Sequence, residues 1–357
     1  MLQSSKATRL YSLDVFRGLI VALMIIVNSP GNPTSYAFLE HSAWDGCSLA
    51  DFVFPSFLFI VGISITMAFR KHPSLCATLP KIFRRSCILF ALGLLLNAFP
   101  HPALDSLRIF GVLQRIALCY FFASILFLVL RLRYQLLVFF GLLLFYWLIM
   151  CQFPLDPTNN LAAMIDRMFF SSHHLYNGSY DPEGLFTTLP ALATTLLGQL
   201  TGAWLLSKYS AAQKMVGLLV AACLCLILAL LVQVYFPINK NLWSSSYVLW
   251  TGGWALFMMA VCYFLIEIKA WLNYFRPFEI LGQQALLAYV LHVFFLKVQA
   301  MIHVASANET SRPLRYVLSE YLFGWTSLQN ASLLYAISYM LLWLLILSQI
   351  NRLKGVD

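Results

Sequence analysis

The chain has 357 residues, 61% of them hydrophobic and only 10% charged, with a mean hydropathy of +0.79. Soluble domains carry about a quarter charged residues, so this chain has too few polar side chains to coat a water-facing surface. Its 23 Lys and Arg against 14 Asp and Glu give a net charge of +9. That excess fits basic loops on one side of a membrane, and no aromatic–basic cluster of a nucleic-acid module accompanies it.

Apolar runs near the roughly 20 residues that cross a bilayer as a helix recur along the whole chain. They predict spans at 10–29, 48–70, 82–99, 109–130, 134–153, 185–206, 215–236, 246–267, 277–301 and 331–350. The expected fold class is an all-α polytopic membrane protein, a single bundle of about ten transmembrane helices forming one domain over 1–357. Barrel strands would instead alternate over about ten residues, and these runs are continuous. The start, MLQSSKATRLYSLD, runs into the first span without a small-residue cleavage site, the pattern of an uncleaved segment. Of the eight cysteines, Cys87, Cys119, Cys223, Cys225 and Cys262 fall inside apolar runs. They read as small buried hydrophobes, not as a disulfide or metal framework.

One set of connections holds Lys6, Arg9, Arg70, Lys71, Lys81, Arg84, Arg85, Arg131, Arg133, Lys208, Lys214, Lys269, Arg276, Arg352 and Lys354. The alternate set holds Arg108, Arg167, Lys240, Arg312 and Arg315, offset by at least as many acids. The positive-inside rule then predicts both termini in the cytoplasm, with 30–47, 154–184, 237–245 and 302–330 outside.

Charges inside spans are the strongest pointers to function, because each is costly unless paired or wetted. Asp14 and Arg17 lie three apart on the first helix and can pair. Asp51 opens the second helix, as a functional charge or simply as a cap. Gln114 and Arg115 lie within the fourth span; packing-only ion pairs are the alternative reading of such interior charges. The first outer loop gathers Asn28, Glu40, His41, Trp44 and Asp45 at the membrane face. A histidine beside an acid and before a Trp-Asp-Gly turn is suited to proton transfer near neutrality. Asp181 and Glu183 precede the sixth span, and Asn239, Lys240, Trp243 and Ser245 lead into the eighth. A tryptophan there serves as an interfacial anchor or as a sugar-stacking surface. His292 sits mid-helix in LLAYVLHVFF, where it either bonds a neighbouring helix or lines a channel opposite His41.

Six segments in order, RLYSLDVFRG, MIIVNSPG, LEHSAWDGCSLADFVFPSFLFIVG, RIFGVLQRIALCY, DPEGLF and NKNLWSSSYVL, resemble the heparan-α-glucosaminide N-acetyltransferase family and its bacterial homologues. The resemblance implies transfer of acetyl from cytosolic acetyl-CoA to a glucosamine amine across the membrane. It makes His41, of the HxxW-D/N-G motif, the essential residue, with Asn28 of the VN motif beside the reaction centre. Asp14, Arg17, Asp51, Gln114 and Arg115 match motif positions and are expected as pocket or support residues. A CoA-binding mouth needs positive charge, for which Arg9, Arg84 and Arg85 are candidates, although the positive-inside bias explains them equally well. Glu40, Trp44, Asp45, Asp51, Asp181, Glu183, Asn239, Lys240, Trp243, Ser245 and His292 are the candidates for the acceptor side.

Thioester aminolysis requires a base for the amine proton and a donor for the oxyanion. His41 fits as base, or as the nucleophile that carries acetyl, and the Asn28 amide fits as donor. The implied partners are acetyl-CoA, an amino sugar or glycan acceptor, the lipid bilayer and, as an open alternative, a second copy in a homodimer. No metal and no nucleic acid are implied. Lacking a large lumenal segment ahead of its first span, the chain is expected in a bacterial inner membrane. The competing readings are an amino-sugar transporter, though no paired repeat of broken helices is visible, and an acyltransferase with a different glycan acceptor.

Overall fold

The computed structural model describes residues 9–353 apart from 72, 101–102, 177 and 305–310. Lys6 and Lys354 of the predicted basic set lie outside the described residues. The helices are α1 (Tyr11–Asn28), α2 (Leu49–Ala68), α3 (Leu75–Ala98), α4 (Val112–Val129), α5 (Leu132–Met150), α6 (Leu161–Phe169), α7 (Thr188–Leu205), α8 (Ala211–Val232), α9 (Ser245–Tyr263), α10 (Leu272–Gln283), α11 (Ala285–Met301), α12 (Leu314–Phe323) and α13 (Leu328–Leu353). A π-helical turn, Phe264–Ile268, extends α9. The strands among the described residues, β1 (His303–Val304) and β2 (Arg312–Pro313), form one small antiparallel hairpin in the 302–330 connection.

Every predicted span is occupied by helix. Seven of the described helices are long and apolar enough to cross a membrane, and α10 with α11 adds an eighth as a bent pair. The other two positions hold α3 and α7, which are more polar. Lys81, Arg84 and Arg85 charge the first half of α3, and Thr188, Thr194, Thr195, Gln199 and Thr201 dilute α7. On α7 those groups after Thr188 are buried inside the bundle, where Thr194, Thr195 and Thr201 donate back to carbonyls one turn earlier and Gln199 donates across to the Ala123 carbonyl of α4.

The span expected over 277–301 is a broken one. Its helix begins earlier, at Leu272, and bends by 70° after Gln283. Gln284 leaves helical geometry (φ −110°, ψ 24°), and its side chain donates to the Leu347 carbonyl of α13 at 2.9 Å. The half before the break lies tight on α1: a Cβ on Gly18 would meet the Phe278 carbonyl oxygen at 1.7 Å, and one on Gly282 the Asp14 carbonyl at 1.9 Å. α2 and α7 approach the same way through Gly62 and Gly198. Such small-residue contacts let helix backbones pack closely where lipid supplies no hydrophobic drive.

The alternation of helices gives the bundle two unlike ends. Asn28, His41 and the starts of α2, α4, α7 and α9 share one end; Arg9, Asp14, Arg17 and the start of α3 share the other, together with the loops bearing Arg131, Lys208 and Lys269.

Candidate active site

His41 is built from behind by the start of α2. Ser48 caps that helix, its hydroxyl accepting from Asp51 N while the Asp51 carboxylate accepts from Ser48 N at 3.0 Å. This reciprocal arrangement satisfies amide donors that a helix start leaves open. The same carboxylate accepts from Ser42 N through Oδ2 at 3.0 Å and pairs through Oδ1 with His41 Nδ1 at 2.8 Å. Asp51 is fully buried while the His41 side chain remains 53% exposed. Asp51 therefore caps its helix and pairs with His41 through the same carboxylate.

A second element fixes this carboxylate from the backbone side. Pro55 has no N–H to give the Asp51 carbonyl four residues earlier. Tyr247, near the start of α9, donates its hydroxyl to that carbonyl at 2.6 Å. Cys47 lies in the same loop, but burial, followed by the charge of Asp51, pushes its thiol up to about 12, which disfavours the thiolate that a nucleophile needs.

The segment before α9 supplies the cation. Asn239 donates to Asp45 at 3.1 Å, and Gly46 N donates to the Ile238 carbonyl at 2.7 Å, tying this segment to the His41 loop. Gly46 takes φ +110°, a conformation open to glycine. Lys240 Nζ then sits 3.0 Å from His41 Nδ1, 3.4 Å from Nε2 and 3.3 Å from Asp51 Oδ1. The ammonium and the imidazole share one carboxylate.

His41, Asn28, Lys240, Arg108, Tyr180 and Glu183 line one cavity of about 420 Å³. Arg108 holds its far wall, donating to both Asp181 oxygens and to Glu183, with its guanidinium 4.6 Å from the Tyr176 ring centre. Burial alone would lower the Arg108 pKa, but the two carboxylates outweigh it and raise it. Burial likewise works against the Glu183 charge, yet Arg108, then Arg115 and Lys240, hold it below the usual carboxylate range. Burial, with the neighbouring charge of Glu183, pushes the Asp181 carboxyl up in spite of Arg108.

A second cavity of about 410 Å³ opens toward the other end, lined by Arg17, Ser64, Arg85, Tyr120 and Gln283 among apolar residues of α2 and α4. Phe57, Val112 and Tyr289 line both cavities, so the two meet at these three side chains. Beside this mouth Asp14 takes Arg9 Nε at 2.7 Å and Arg17 Nη1 at 3.0 Å, and Arg9 also reaches Glu279 at 3.3 Å.

Residues 9–238 match the family described as heparan-α-glucosaminide N-acetyltransferase, catalytic. The human heparan-α-glucosaminide N-acetyltransferase is 31% identical over 366 residues, covering 82% of this chain and 54% of that protein. The mouse protein of the same name is 31% identical over 81% of this chain and 54% of its own length. The chain belongs to this family. It spans about half the length of these two relatives.

Of the residues predicted from the sequence, the structure brings Asn28, His41, Glu183 and Lys240 to one cavity and Arg17 and Arg85 to the other; Lys240 lies just beyond the residues that match the heparan-α-glucosaminide N-acetyltransferase family. Asp14 and Arg9 lie beside Arg17, and Asp181 stands behind Arg108. Other predicted residues line neither cavity. Gln114 packs its amide against Gly93 and Gly111, and fully buried Arg115 donates to Gly184 and Thr187 and lies 4.9 Å from the Trp243 ring centre. Arg84 is exposed on α3, and Glu40 is exposed beside His41. Trp44 packs edge-on against Tyr180 and donates to the Leu155 carbonyl, whereas Asp45 and Asn239 bridge the two loops. Trp243 is 1% exposed, wedged edge-on between Phe54 and Tyr247, and so presents no open face for a sugar. Ser245 donates to the Leu143 carbonyl inside the bundle. His292 is completely buried and lies behind Asn28 instead of on the cavity wall.

Sequence reasoning missed the cavity roles of Tyr289, Phe57, Val112, Tyr176 and Tyr180, which are apolar or aromatic residues in ordinary helical or loop contexts. Arg108 carried a signal: it was one of few basic residues on the acid-bearing side.

Proposed function

We propose that this chain is a transmembrane acetyltransferase that moves acetyl from cytosolic acetyl-CoA to the amine of a glucosamine-type sugar on the periplasmic side of a bacterial inner membrane. The observation that carries this reading is the His41–Asp51–Lys240 cluster, facing a cavity that meets a second, oppositely opening cavity at Phe57, Val112 and Tyr289. The names of the human and mouse relatives supply the acetyl group and the glucosamine acceptor.

The second cavity fits the donor. Arg17 and Arg85 place positive charge at its mouth, suited to a polyanionic nucleotide, and its apolar wall suits a slender thioester-bearing arm. The basic connections cluster at this same end, which the positive-inside rule assigns to the cytoplasm. Acetyl-CoA supplies the activated acyl group; the rest of the chemistry belongs to the protein.

Asp51 fixes the His41 ring through Nδ1, leaving Nε2 as the nitrogen that takes a proton from the acceptor amine or carries the acetyl group. Asn28 reaches the same cavity with an amide donor for the oxyanion. Lys240 adds a positive charge beside His41 and Asp51. Glu183, Tyr180 and Asn241 line the acceptor side, where an acid and an aromatic edge suit a cationic amino sugar.

Purified protein incubated with acetyl-CoA and glucosamine tests this reading directly. Release of coenzyme A that depends on glucosamine is expected. An amino-sugar transporter would instead move glucosamine across proteoliposomes without releasing coenzyme A, and that outcome would replace the proposal.

A further inference from the structure

His292 is a buried titratable group that the mechanism above does not use. Its Nδ1 lies 2.8 Å from the Ala288 carbonyl oxygen, one turn back on α11. A carbonyl only accepts, so Nδ1 must carry the hydrogen. In the neutral ring Nε2 is then an acceptor, and the group facing it is the Asn28 side-chain nitrogen at 3.4 Å. The reverse orientation of the Asn28 amide would set two lone pairs against each other. The ring itself is held: Tyr289 meets it edge-on at 5.7 Å between centroids, and Tyr339 donates to the His292 carbonyl at 3.0 Å.

We infer that His292 is a positioning residue that selects the orientation of the Asn28 carboxamide and turns its second N–H toward the cavity shared with His41. This rests on the acetyltransferase reading and assigns His292 neither the base nor the channel-lining role. It also ties the end of α1 to the half of the broken span that follows the bend. A histidine that merely filled space would have no such dependence on Asn28.

The test compares His292→Gln, which keeps an acceptor near the Nε2 position, with His292→Leu, which fills the ring's volume without one. Each is made alone and in an Asn28→Ala background, and coenzyme A release is read as kcat and KM. Asn28→Ala should lose about 10²-fold in kcat, the scale of removing one oxyanion donor. His292→Leu should lose roughly tenfold in kcat with KM for acetyl-CoA within about twofold, and His292→Gln should recover most of that loss. In the Asn28→Ala background the two replacements should be indistinguishable, because residues that act through one another are not additive. Equal activity of Leu and Gln with Asn28 present would overturn the inference, as would the same ratio persisting without Asn28. Should the Leu variant fail to fold, His292→Met takes its place in the same comparison with Gln, and a loss near 10²-fold in Gln itself would mark a base and overturn the inference. A wild type that releases no coenzyme A would overturn the acetyltransferase reading itself, an outcome distinct from any of these.

Discussion

Asp51 holds His41 at 2.8 Å with one carboxylate oxygen and caps its own helix with the other. Asp51→Asn keeps the shape of the cap but turns an acceptor into a donor toward one of these partners. The His41 tautomer presented to the cavity is then no longer fixed. Transfer should fall by about 10²–10⁴-fold, the range for losing a correctly poised base. Thermal unfolding measured beside turnover separates this loss from a failure of the cap, which typically costs about 1 kcal/mol.

The Asp51 carbonyl offers an independent check on the same corner. Tyr247→Phe should cost about 1–3 kcal/mol, because it strands a buried carbonyl that accepts the Tyr247 hydroxyl at 2.6 Å. Pro55→Ala in the same protein restores a backbone N–H four residues on and should recover part of that stability. Additive losses in the double variant would show that the proline and the tyrosine do not share this carbonyl.

How much of this was legible depends on distance along the chain. Apolar runs located all ten helical positions, and the spacing of Asp14 and Arg17 announced their pair, now seen at 3.0 Å. The bend after Gln283 was not read, although Gly282, Gln283 and Gln284 interrupt the apolar run there; the bond from Gln284 to the Leu347 carbonyl joins residues 63 apart in sequence. His41 and Asn28 were readable as motif residues. Tyr247 as the partner of a carbonyl freed by Pro55 was not, because 196 residues separate donor and acceptor. Trp243 was open to two surface readings; its positive φ of 49° instead turns the ring inward over Arg115.

At the other mouth, Asp14 serves two cations. Asp14→Ala leaves Arg17 without its carboxylate and should lower folded yield sharply, since breaking a buried pair costs about 3–5 kcal/mol. Adding Arg17→Ala should restore part of the yield. Arg9 retains Glu279 at 3.3 Å and needs no second rescue. Full additivity of the two losses in a detergent-stability assay would contradict a shared pair.

Asp166, on the outer helix α6, should make stability depend on pH. Burial pushes its carboxyl up to about 6 against the help of Leu185 N, and its Oδ2 is buried without a hydrogen-bond partner. The folded state therefore binds a proton more tightly than the unfolded chain. The stability this gives is complete below about pH 4 and is lost as pH rises through about 6. Asp166→Asn should stabilise the protein at pH 7.5 by up to about 3 kcal/mol, with the gain shrinking as the pH is lowered toward 4. A gain that stays constant from pH 4 to 7.5 would show that charge on Asp166 is not its cause.

His41→Ala is the measurement that bears most directly on the proposed chemistry. The side chain is half-exposed in a loop, so truncation should leave folding nearly unchanged. Binding of acetyl-CoA, read by calorimetry or ligand-induced thermal stabilisation, should persist, because the second cavity is lined by other residues. Coenzyme A release in the presence of glucosamine should fall by at least about 10²-fold. A His41→Ala protein that folds, binds acetyl-CoA and still transfers acetyl within a few-fold of wild type would contradict the assignment of His41.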